Sequence, residues 1–101
     1  MKTYVAHRSR GLPLKFTGEI IGFAEDHIFI LVLYRTAGGQ YVCERITAPN
    51  GRSPSQKHHA ITCKDREKIR SFFGESKLAA TLYTMARIDT LPEVCAYKEI
   101  L

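Results

Sequence analysis

A chain of 101 residues, 45% apolar and 25% charged, has the composition of one soluble globular domain, long enough to bury about 60–65% of its unfolded surface. Its dense, patterned apolar residues exclude disorder over most of the length, and no apolar run reaches the roughly 18–20 residues of a membrane-spanning helix. A net charge of +5 and a pI near 9.3 favour acidic partners, nucleic acid among them, and say nothing of fold.

From the start of the chain, residues 2–7 alternate weakly, as a short edge strand does. The Gly and Pro of Arg8-Ser9-Arg10-Gly11-Leu12-Pro13 then impose a loop. Residues 15–24 are the next predicted strand, carrying Phe16, Ile20, Ile21 and Phe23. Glu25-Asp26 supplies a reversal into the strand 27–36. Within it, Ile28-Phe29-Ile30-Leu31-Val32-Leu33-Tyr34 has no polar break, so both faces of this strand need shielding from water. A reversal at Glu25-Asp26 sets Gly22 opposite Phe29, Ile20 opposite Leu31 and Gly18 opposite Leu33 on one face. The other face then pairs Phe23 with Ile28, Ile21 with Ile30 and Glu19 with Val32.

Gly38-Gly39 fits a tight turn, because glycine tolerates positive φ. In the strand 40–47, Tyr41, Cys43 and Arg45 alternate against Val42, Glu44 and Ile46, a half-exposed pattern. Residues 15–47 therefore read as a three-stranded antiparallel meander. Pro, Gly, Ser and Asn crowd residues 48–56, an exposed loop, and residues 57–63 form a short strand rejoining the sheet. Helical spacing follows. Thr62 to Asp65 caps a helix bearing Ile69, Phe72 and Phe73 that stops at Gly74. Ser76 caps a second helix whose stripe is Leu78, Leu82 and Met85, widened by Ala79, Tyr83 and Ala86. Asp89-Thr90-Leu91-Pro92 ends it, and residues 93–101 alternate as a terminal strand. The expected fold is a single α+β domain over 1–101: an antiparallel sheet of four or five strands with two consecutive helices packed on one face.

No constellation of residues supplies a catalytic, metal or cofactor signature, and a non-enzymatic role is expected. His58-His59 and Cys63 have metal-like spacing, but adjacent strand residues point to opposite faces and further ligands are missing. Cys43, Cys63 and Cys95 are too widely spaced for a knuckle or redox pair and read as reduced thiols in a cytoplasm. Two binding readings follow. An uncovered sheet face with Ile21, Phe23, Ile28, Ile30 and Val32 would exceed the apolar patch a monomer tolerates, which favours a homodimer. The competing arrangement has the terminal strand and long loop curl over that face. The second reading is nucleic-acid binding. Arg8 and Arg10 in one loop, with Arg52, Lys57 and His58 in and after another, attract phosphate if the two loops meet, and Tyr4, Tyr34 and Tyr41 would offer stacking surfaces. A third, weaker reading is a small-ligand pocket near Phe29, Leu33, Phe72 and Leu82.

Residues 33–46, Leu-Tyr-Arg-Thr-Ala-Gly-Gly-Gln-Tyr-Val-Cys-Glu-Arg-Ile, resemble small accessory proteins carried by conjugative plasmids and other mobile elements. Phe72-Phe73-Gly74, with Lys77-Leu78-Ala79 and Leu82-Tyr83, is similar to the same group, so the likeness spans about a quarter of the chain. It implies a bacterial cytoplasm and a cargo gene of optional function, and assigns no activity to any residue.

Overall fold

The computed structural model describes residues 1–48 and 56–91. Five strands, β1 (Lys2–Ala6), β2 (Leu14–Glu25), β3 (Phe29–Thr36), β4 (Tyr41–Thr47) and β5 (Lys57–Cys63), form one antiparallel sheet in chain order. Two helices, α1 (Arg66–Phe73) and α2 (Lys77–Ala86), and a 3-10 turn at Ile88–Thr90 complete the α+β fold. No helix among the described residues is long and apolar enough to cross a membrane. The expected terminal strand at 93–101 and most of the expected loop at 48–56 lie outside the described residues.

Each helix begins where a side chain takes over an unpaired amide. Asp65 accepts from the Lys68 amide at 2.8 Å and Ser76 from the Ala79 amide at 3.1 Å. Gly74, at φ 84°, terminates α1 with its amide on the Arg70 carbonyl, a conformation that only glycine adopts without strain. α2 presents Ala79, Leu82, Tyr83 and Ala86 to the sheet, while Met85, expected in that stripe, is 58% exposed. The helix crosses β2 at Gly22, where a Cβ would come within 2.9 Å of Leu82 Cδ1 and 3.1 Å of Ala86 Cβ. A strand carrying any side chain at this point would hold α2 away.

The β2–β3 register differs from the expected one. The reversal lies beyond Glu25-Asp26, because the Asp26 carboxylate accepts from the amides of Ile28 (2.8 Å) and Phe29 (2.7 Å) and closes the turn around His27 and Ile28. These two hydrogen bonds hold the Asp26 carboxyl below its ordinary pKa range, the Phe29 amide contributing most. Gly22 therefore pairs with Leu33 and Phe23 with Val32, while a bulge between Ile20 and Gly22 shifts the rest so that Ile20 meets Tyr34.

Both sheet faces are buried, by different means. Leu31, Leu33, Tyr41, Cys43 and Cys63 pack under the helices with Ile69, Phe73 and Leu82. On the opposite face Ala6, Val32, Tyr34, Val42 and Ala60 form a second cluster, joined by Tyr4, Leu14, Phe16 and Ile30. The sheet curls until β1 and the start of β2 cover the central strands, a job expected of the terminal strand and long loop or of a second copy. β4 is consequently buried at Tyr41, Val42, Cys43 and Glu44 rather than half-exposed. Glu44, 5% exposed inside the curl, accepts a hydrogen bond from the Tyr34 hydroxyl at 2.6 Å. Burial and that bond push the Tyr34 phenol far above its ordinary pKa.

Candidate functional site

Curling brings the loop after β1 against the outer edge of β5, 49 residues away in sequence. Two hydrogen bonds fasten them: the Ser9 amide donates to the His58 carbonyl at 2.8 Å, and the His58 amide donates to Ser9 Oγ at 2.7 Å. Inside the loop, Arg8 Nη1 reaches the Leu12 carbonyl at 3.4 Å. Backbone groups of a β-strand alternate between its two sides, so the outward amide and carbonyl of His58 fix which residues face the edge. Ala60, two residues on, directs its own amide and carbonyl the same way.

Between loop and strand lies a cleft of about 580 Å³. Arg8, Arg10, Lys57, His58 and His59 line it, and no carboxylate among the described residues does. Its apolar lining is Ala60, Ile61 and the half-buried Phe72 of α1. Arg45, opposite His59 on β4, places its guanidinium 5.3 Å from the centre of the Phe72 ring and contacts the Phe72 carbonyl at 3.4 Å. One ring nitrogen of His58, Nδ1, is buried without a hydrogen-bond partner among the described residues, and the His7 ring stands edge-on to it at 6.0 Å. A buried imidazole nitrogen left in this state is unusual.

Of the expected nucleic-acid contacts, Arg8, Arg10, Lys57 and His58 converge on this cleft, and Arg52 lies outside the described residues. The expected stacking tyrosines are placed otherwise. Tyr41 and Tyr34 are 0% and 6% exposed, so neither offers a face to a ligand, and Tyr4 packs against Phe16 and Tyr34. The aromatic ring at the cleft is Phe72, expected on the apolar side of α1 and near a small-ligand pocket, and it packs partly against the core under the helices. Ser9 has a role that the sequence does not signal. A lone serine in a basic loop gives no hint that it clamps a strand half the chain away.

Of the five residues expected on a dimer face, Phe23, Ile28, Ile30 and Val32 keep one side of the sheet and Ile21 leaves it. The bulge sends Ile21 to the cluster under the helices, while Ile30 and Val32 join the cluster inside the curl. Phe23 and Ile28 are 37% and 46% exposed. Near the expected small-ligand pocket, Leu33 and Leu82 have no exposed surface, so side chains already fill that space. No group of three metal-ligating side chains occurs among the described residues. The Cys43 and Cys63 sulfurs, 3.8 Å apart under the helices, are free thiols, and the S–H···S contact raises Cys43 while lowering Cys63. No family model, curated protein or solved structure matches the chain.

Proposed function

We propose that this protein is a non-catalytic nucleic-acid-binding module whose contact surface is the cleft between the β1–β2 loop and β5. The observation carrying this reading is the Ser9–His58 clamp, which gathers Arg8, Arg10, Lys57 and two histidines around one opening, with no carboxylate among its described lining residues. Cations so placed neutralise successive backbone phosphates and release their counterions, which makes affinity fall steeply with salt. A cytoplasmic, mobile-element setting is part of the proposal, and the free thiols Cys43 and Cys63 support a reducing compartment.

Fluorescence anisotropy of a labelled DNA oligonucleotide across a salt series tests the reading. Arg8→Glu combined with Arg10→Glu is expected to weaken binding at least about tenfold and to flatten the salt slope by about 1.4, two contacts at roughly 0.7 each. Retention unchanged by the double reversal overturns it.

A homodimer is the second reading, favoured by the exposed Phe23 and Met85, which meet where the Phe23 amide approaches Met85 Sδ at 3.2 Å. Light scattering at high concentration tests it: a dimer mass supports it and a monomer mass opposes it.

A further inference from the structure

We infer that the cleft takes single-stranded rather than duplex nucleic acid, seating an unpaired base against Phe72 while the phosphates lie on the basic loop. This rests on the proposed nucleic-acid reading and names its substrate class. A purely phosphate-binding surface needs only cations and polar groups. This one combines Arg8, Arg10 and Lys57 with an apolar lining of Ala60, Ile61 and Phe72. In a duplex the base faces are stacked on one another, and only phosphates, sugars and base edges reach a protein. Such a ligand would leave the aromatic lining unused. An unpaired base brings a π-face, and stacking on an aromatic ring tolerates any base identity.

Two further features fit the same occupant. The volume, about 580 Å³, lies in the range that holds small organic ligands, so a nucleotide has room. Arg45 covers one face of the Phe72 ring with a planar cation, which leaves the other face as the stacking position this inference requires.

The test compares three labelled ligands on the wild-type protein at one salt concentration: a thymidine 15-mer, an abasic strand of equal length, and the same length of duplex. Removing the bases keeps every phosphate, so this comparison requires no protein variant. The single strand is expected to bind at least about tenfold more tightly than the abasic strand and more tightly than the duplex, in line with the strength of base–aromatic stacking. Phe72→Leu, which keeps apolar volume without a π-face, is expected to remove most of the gap between thymidine and abasic strands, and Phe72→Tyr to restore it. Equal binding of thymidine and abasic strands, abolished by Arg8→Glu with Arg10→Glu, overturns this inference and leaves the nucleic-acid reading standing. Absence of binding to all three ligands overturns both.

Discussion

The two faces of the sheet each carry a buried cluster, and the two are covered by unlike materials. Under the helices the core is almost wholly apolar, with Leu33, Cys43, Ile69 and Leu82 at 0% exposure. Inside the curl the lining mixes small residues, three aromatic rings and a buried carboxylate: Ala6, Ala60, Tyr4, Phe16, Tyr34 and Glu44. Helices can deliver long aliphatic side chains onto a sheet. A sheet folding onto itself has less room, so small residues and flat rings fill it, the Phe16 and Tyr34 rings meeting edge to face at 4.9 Å. The comparison shows that a strand apolar on both sides calls for two covers, and that one curled chain supplies both.

Substitutions on the two faces should separate accordingly. The largest effect is expected under the helices, where Leu82→Ala opens a cavity beneath α2 at its contact with Gly22 and costs about 2–5 kcal/mol, read by denaturant unfolding. Within the curl, Tyr34→Phe removes almost no volume but leaves the Glu44 carboxylate without its donor, costing about 1–3 kcal/mol. Adding Glu44→Leu to that variant should recover much of the loss, because no buried charge is then left unpaired. A Tyr34→Phe variant as costly as Leu82→Ala would show that the curl depends on its polar pair more than on its packing.

The smallest effect is a loss of stability in alkali, and it samples both faces. Burial, and then the charge of Glu75, raise the Tyr83 phenol from 10.0 to about 12, while its hydroxyl donates to the Gly74 carbonyl at 2.6 Å. Tyr34 is raised further by burial and its bond to Glu44. Both groups hold their protons more tightly when folded. Their contribution is therefore complete below pH 10, the unfolded value, and lost as pH climbs through the folded ones. Thermal melts between pH 9 and 12 should fall less steeply in Tyr34→Phe than in wild type, with a smaller relief in Tyr83→Phe. Identical slopes in all three proteins would contradict this assignment.

How much of this could be read from residues follows from the range of the interactions involved. Elements set by neighbours were legible: the meander through Gly38-Gly39, β5 at Lys57–Cys63, the Ser76 cap and the Gly74 stop. The β2–β3 register was not, because the turn is held by the Asp26 side chain and a bulge interrupts β2 at Ile21. The displaced turn changed the partners but not the faces of Phe23, Ile28, Ile30 and Val32, whereas the bulge moved Ile21 to the opposite face. The curl was also hidden, since it depends on Tyr4 and Ala6 reaching Val42 and Ala60 across the sheet. At the candidate site, the charges were legible and their meeting was conditional on geometry. Arg8, Arg10, Lys57 and His58 announce themselves by type, whereas Ser9 and Phe72 gain their roles only when distant segments come together.

Where a nucleic-acid strand lands on the protein decides between the cleft and every other surface. Amide chemical shifts, followed by NMR as a thymidine oligonucleotide is titrated into the isotopically labelled protein, locate it without any substitution. The expected result is that Ser9, Arg10, His58, Ala60 and Phe72 shift together and saturably, while Phe23, Thr81 and Met85 on the far side of β2 and α2 stay in place. Shifts confined to Phe23 and Met85, or none at any of these positions, would contradict it.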